Sequence, residues 1–149
     1  MTGELNEIQI NNVLTSQVLG RLACTDGKQP YIVPLTFCFD GKCIYGQTRP
    51  GKKLTILRKN PNVCFEVDQM TDMANWQSVL VSGKFEELNE ADAQNARQLL
   101  FDRIFPMSTS CTIHPHEHIV THKVEDKNRL KPVMYRIIIS AKSGRFEKR

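Results

Sequence analysis

Long hydrophobic runs are missing from this 149-residue chain. No stretch approaches the ~20 consecutive apolar residues that a membrane helix needs, so no membrane span is expected. The opening segment MTGELNEIQINN has neither a basic start nor an apolar stretch, so no secretory signal is expected either. Cysteine occurs five times, an odd count, and never as C-x-x-C, which argues against a disulfide framework or a zinc ribbon and points to a reducing cytoplasm. Repeats, low-complexity tracts and Pro/Gly-rich linkers are also lacking. The chain is therefore expected to form a single domain over residues 1–149.

What is present is ordinary globular composition, with 40% apolar and 24% charged residues, enough to build a core without cross-links. The net charge of +4 is uneven: residues 123–149 hold nine basic and three acidic side chains, a local balance of +6. No aromatic-rich strand or nucleic-acid motif accompanies that charge, so it reads as a solvated face rather than a nucleic-acid contact.

Along the chain, Leu5 to Gln17 reads as a weak helix. VLGRLACT runs into Asp26-Gly27, PYIVPLTFCF runs into Asp40-Gly41, and KCIYGQT follows. Asp-Gly between β-branched and aromatic runs is a hairpin signal, because Gly accepts the positive φ of a tight turn. Pro34 removes a backbone donor, so its strand should carry a bulge or lie open on one side. Lys52 to Lys59 reads as a short helix ended by Asn60-Pro61. Asn62 to Gln69 and Trp76 to Leu88 read as strands, with a bend at Gly83. A helix capped near Asn89 should turn Ala93, Ala96, Leu99, Leu100 and Ile104 to one side. Met107 to His118 reads as loop, and Pro132 to Ser140 as a last strand left through a Ser143-Gly144 turn. About six strands joined mainly by hairpins favour an antiparallel β-barrel with appended helices.

GQTRPGKK (Gly46 to Lys53) almost spells the phosphate loop G-x-x-x-x-G-K-[ST]. Lys53 stands where a hydroxyl must hold magnesium, and the alternating strands and helices of that fold are missing, so the reading is rejected. The underlying physics remains. A helix start carries roughly half a positive charge and unpaired N–H groups, yet Lys52 and Lys53 fill its first turn with Arg49 just ahead. Two readings stand: an anion held by the N–H groups, the Thr48 hydroxyl and two ammonium groups, or a solvated basic turn.

The chain resembles the FMN-binding split barrels related to pyridoxamine 5′-phosphate oxidase, particularly the branch that includes the nitroimidazole-resistance proteins. The resembling segments are GRLAC (Gly20 to Cys24), PYIVPLTF (Pro30 to Phe37), IYGQTRPGKK (Ile44 to Lys53), NPNVCFEVD (Asn60 to Asp68), WQSVLVSGKFEEL (Trp76 to Leu88) and YRIIISAKSGRFE (Tyr135 to Glu147). The resemblance implies a homodimer of six-stranded antiparallel split β-barrels with FMN in each of two clefts between subunits. It implies that the flavin lies along Val33, Pro34, Leu35 and Thr36, that Lys52 and Lys53 hold its phosphate, and that Gln47 and Thr48 end the strand before them. Ser78 corresponds to a polar residue that reaches the flavin. The function implied is an FMN-dependent oxidoreductase acting on a small molecule. The alternatives are a non-catalytic flavin- or haem-binding module, a nitroimidazole reductase or resistance protein, and a basic-tailed interaction protein. Relatives often carry His at Gln47 or at Gly46, and Gln does not titrate near neutral pH, so a histidine-dependent reaction is not expected there. The pyridoxamine phosphate specificity residues of the longer oxidase carboxyl terminus are not recognisable, so vitamin B6 oxidation is not expected, and no catalytic acid or base is assigned because flavin hydride chemistry need not require one.

His114, His116 and His118 alternate, with Cys111 and His122 nearby, and are either metal ligands or a polar loop; no metal is assigned. Cys24, Cys38, Cys43 and Cys64 read as small buried hydrophobes, and Tyr31, Tyr45 and the Phe residues as core. Trp76, at a strand start, is a candidate to stack at the cofactor cleft or to anchor a core or interface. Arg136 and Arg145 read as ligand contacts or surface residues.

Overall fold

In the computed structural model, which describes residues 1–107 and 132–149, strands and helices alternate irregularly. The order is β1 (Thr2–Glu4), α1 (Glu7–Ser16), β2 (Leu19–Thr25), β3 (Pro30–Thr36), β4 (Cys38–Phe39), β5 (Cys43–Thr48), α2 (Lys52–Lys59), β6 (Asn62–Asp72), β7 (Asn75–Glu87), α3 (Glu90–Ile104), a 3-10 turn over Phe105–Met107, and β8 (Val133–Glu147). All pairings are antiparallel, in the order β3-β2-β6-β7-β8-β5-β4, with β1 added on β8. The two ends of that path, β3 and β4, are separated in the chain by Phe37 alone. A sheet whose first and last strands are consecutive must curl round on itself. Phe37 closes the seam, fully buried, with its N–H donating to the Val18 carbonyl at 2.9 Å.

This is the expected mainly β split barrel with appended helices, with eight described strands where the pattern gave six. The two additions are short. β1 is a three-residue edge, and the run from Pro30 to Phe39 breaks at Phe37 into β3 and β4.

Both Asp-Gly hairpins use one device. Asp26 Oδ1 accepts from the N–H groups of Lys28 and Gln29, Asp40 Oδ1 accepts from those of Lys42 and Cys43, and Gly27 and Gly41 take φ of 97° and 99°. Pro34 lies on a strand that pairs only with β2, so its missing donor faces the open edge. The bend expected at Gly83 is a register shift between Ser82 and Gly83 on β8.

Period-two alternation sends Leu22, Phe65, Val67, Val79, Val81 and Ile137 inward, where all six are fully buried. Phe65 meets Phe37 edge-on, with ring centroids 5.1 Å apart. Truncating a ring buried this way costs about 3–5 kcal/mol. Helix α1 closes the barrel with Ile10, Val13 and Leu14, while α3 lays Ala93, Ala96 and Leu100 against Cys38 and Met134 outside it.

Three expectations are corrected. Leu99 is 42% exposed, because the narrow apolar face of α3 is filled by Ala93, Ala96 and Leu100. The chain does not turn at Ser143-Gly144; β8 runs on to Glu147, and a side chain at Gly144 would strike Leu5 and Ile10, so the glycine lets the amino-terminal segment cross close over the strand. Cys64 is exposed and Cys43 half-buried, because both point away from the barrel interior. The segment 108–118, read as loop, lies outside the described residues. Among the described residues no helix is long and apolar enough to cross a membrane.

Candidate functional site

The site is built where β5 hands over to α2. Leu54, Ile56 and Leu57 bury one side of this short helix. Its far end is fastened twice: Asn60 Nδ2 donates to the Thr25 carbonyl at 3.1 Å, and Arg58 pairs with Glu87 at 2.7 Å. That fastening lays the first turn over the β2–β3 hairpin. Lys52 Nζ stands 5.2 Å from the centre of the Tyr31 ring, and Lys53 lies near Cys24, the residue paired with Tyr31 across the hairpin.

The helix start is electropositive and uncapped. Gly51 occupies the N-cap with no side-chain hydrogen bond, and the first turn holds no acid. Among the described residues neither lysine has a carboxylate within ion-pair distance. Asp26, the acid of the adjoining turn, is occupied by the backbone N–H groups of Lys28 and Gln29, which hold its carboxyl below the usual range. Burial disfavours the charged form of Lys53 and pulls its pKa below the ordinary lysine value. A half-buried cation without a counter-ion, beside the N–H groups of a helix start, is a place that an anion would stabilise.

The other expected residues are spread over several faces of the barrel. Alternation in β3 turns Val33 and Leu35 toward the core and leaves Pro34 and Thr36 exposed on the outer sheet face. Thr48 is buried, its hydroxyl donating to the Arg49 carbonyl at 3.2 Å. Gln47 points the other way from Thr48, opposite Met134 on the α3 side, and among the described residues nothing hydrogen-bonds its buried Oε1. Position 46 has no room for a histidine, because a Cβ there would run into the Tyr135 hydroxyl. Ser78 Oγ donates to Glu66 at 3.3 Å on the outer face, where Glu66 also pairs with Arg21.

Trp76 is remote. Ala23 stands opposite Cys64, whereas Trp76 stands opposite Met70, six residues and roughly 20 Å further along β6. It walls two cavities of about 260 and 400 Å³, shared with Phe146, that contain neither Lys52 nor Lys53. The chain thus brings Tyr31, Lys52 and Lys53 together and leaves Trp76 apart.

Burial raises the thiol pKa of Cys24 and Cys43 and pushes Cys38 up to about 12, so none of the three is a thiolate nucleophile at neutral pH. Arg136 is committed to Glu86 at 2.6 Å, while Arg145 is exposed beside Trp76. The histidine group at 114, 116 and 118, with Cys111 and His122, lies outside the described residues. Tyr31, read from the sequence as core, is the residue that pattern reasoning missed. Alternation with Val33 and Leu35 assigns it to the inner face, but only the packing of α2 shows that its ring meets a lysine.

A family model described as pyridoxamine 5′-phosphate oxidase matches residues 7–145. The crystal structure of an FAD-binding protein from Mesorhizobium loti matches with a TM-score of 0.76 at 28% identity, over 99% of each chain. An FAD-binding protein from Mycobacterium smegmatis matches with a TM-score of 0.66 at 23% identity, over 97% of this chain and 98% of that one, a likeness of fold alone. An uncharacterized protein from Rhizobium meliloti is 36% identical over 80 residues, 54% of this chain and 53% of that one. The match spans about half the length of this curated relative.

Proposed function

The chain belongs to the pyridoxamine 5′-phosphate oxidase family, and from that premise we propose that it is a flavin-binding protein that holds FMN and serves as an oxidoreductase on a small molecule. The carrying observation is Lys53: a half-buried ammonium with no ion-pair partner among the described residues, at an uncapped helix start with a second lysine beside it. That donor set fits a phosphate dianion. Ammonium groups supply charge and the first-turn N–H groups supply directed donors. The FAD-binding Mesorhizobium loti structure, which matches over the whole fold, supports a flavin as the phosphate's carrier.

In this reading Lys52, Lys53 and the N–H groups of α2 neutralise the phosphate, with Thr48 packed behind them. The edge strand from Val33 to Thr36 lines the ring, and Pro34 leaves that edge without one donor. The flavin, when bound, supplies hydride or electron transfer, and the protein sets access and polarity around it. A second copy of the chain completes the cleft. Ile32, Leu80 and Ile138 are 64%, 46% and 46% exposed on the outer sheet face, apolar side chains that a second copy would cover to form a homodimer. Trp76 and Ser78, which one subunit keeps away from Lys52, are assigned to the partner's half.

Titration of the apo protein with FMN and with riboflavin tests this. Lys52→Ala combined with Lys53→Ala is expected to weaken FMN binding a hundredfold or more, since hydrogen bonds to charged groups contribute about 1.5–3 kcal/mol each. Riboflavin, which has no phosphate, should lose little. Equal losses for both ligands would show that the two lysines do not hold the phosphate.

A further inference from the structure

Adjacent positions on a helix project about 100° apart, so Lys52 and Lys53 leave the α2 axis in different directions. Two such side chains meet one small anion only if something restrains them. Lys53 is restrained by its own burial beside Cys24. Lys52 is exposed, and a free lysine has rotamer entropy to be lost on binding.

Resting on the phosphate reading above, we propose that Tyr31 is a positioning residue for that site: its ring face holds the Lys52 ammonium in place for the incoming anion. The Lys52 Nζ lies 5.2 Å from the ring centroid, inside the range in which a cation is attracted by an aromatic face. The ring itself is fixed. Tyr31 is half-buried, packs against the main core on the inward side of β3, and pairs with Cys24 in the hairpin register. A ring contact also leaves ammonium N–H groups for the ligand, whereas a carboxylate partner would accept from them and oppose the phosphate. The Asp26 carboxylate is close enough to feel Lys52 but makes no ion pair with it, and its Oδ1 accepts from two backbone N–H groups of its own turn. The site thus pairs one lysine oriented by burial with one oriented by a ring, and Tyr31 sharpens the preference for phosphorylated over unphosphorylated flavin.

The readout is the ratio of riboflavin to FMN dissociation constants in wild type, Tyr31→Phe, Tyr31→Leu, Lys52→Ala and the Tyr31→Leu/Lys52→Ala double variant. Tyr31→Leu should lower the ratio about 2–5-fold, the scale of an exposed cation–π contact. Tyr31→Phe, which keeps the ring face, should match wild type, and Tyr31→Leu should add nothing once Lys52 is gone. Riboflavin affinity reports that each variant is folded. In the wild-type apo protein, the Lys52 Hε protons should also resonate upfield of those of Lys59, which needs no variant to fold. Additive losses in the double variant, a Tyr31→Phe loss as large as that of Tyr31→Leu, or unshifted Lys52 protons would overturn the assignment. A wild-type ratio near one has a different meaning: the phosphate reading itself fails, whatever Tyr31 does.

Discussion

Among the described residues three α-helices start, and two of them start alike. In α1, Asn6 Oδ1 accepts from the Gln9 N–H and Gln9 Oε1 accepts from the Asn6 N–H, both at 2.9 Å, with Glu7 in the first turn. In α3, Asn89 Oδ1 accepts from the Asp92 N–H, and Glu90 and Asp92 face the positive end of the dipole. Both arrangements satisfy orphan donors and oppose the dipole with negative charge. Helix α2 has a glycine cap with no side-chain acceptor and two lysines in its first turn. The contrast teaches that the chain has the means to finish a helix start. At α2 the described residues offer no side-chain acceptor for those donors.

The comparison breaks most sharply if α2 is made to resemble its neighbours. Lys52→Glu puts an acid at the helix start and should stabilise the apo protein by about 0.3–1 kcal/mol. The same change should lower FMN affinity about a hundredfold while riboflavin holds. Calorimetric unfolding and ligand titration check the two halves, and an unaffected FMN affinity would make the start of α2 bare surface.

A smaller effect follows from pH. Burial sets the Lys53 pKa below the ordinary lysine value, and on the proposed reading the phosphate would bind the protonated form. The preference for FMN over riboflavin should therefore be complete at neutral pH and fall as pH rises through that lowered pKa, earlier than a solvated lysine would allow. Lys53→Arg, which stays charged, should flatten the profile. A wild-type profile that is already flat would place the ligand's charge elsewhere.

The smallest effect sharpens the other side of the comparison. Asn6→Ala and Asn89→Ala should each cost about 0.5–2 kcal/mol in urea unfolding and leave the FMN-to-riboflavin ratio untouched. A change in that ratio would mean that all three helix starts communicate with the ligand.

Much of the fold was legible because it depends on local rules. Asp26-Gly27 and Asp40-Gly41 announce their turns through a side-chain acceptor and a positive φ, both properties of the residues themselves. The alternation of Val63, Phe65 and Val67 identifies the buried face of β6 without any knowledge of what covers it. Asn89 marks a helix start for the same kind of reason. Gly144 was misread because a glycine that serves a turn and one that admits a crossing segment look identical in sequence. The amino-terminal segment that crosses it, at Leu5, lies far away in the chain. Leu99 was misread because apolar character at helical spacing says nothing about how wide a face the neighbours leave.

The anomaly at Lys52 and Lys53 is a property of the sequence alone, because a helix dipole and its unpaired donors follow from backbone geometry wherever a helix begins. What the sequence left open was whether those lysines have company. That was settled by long-range packing: Asn60 tied to Thr25 lowers the first turn onto the hairpin, sets the Tyr31 ring against Lys52 and half-buries Lys53 beside Cys24. Charge at a helix start is written residue by residue. Its burial, and the face of the ring it meets, exist only once distant strands have been brought into register.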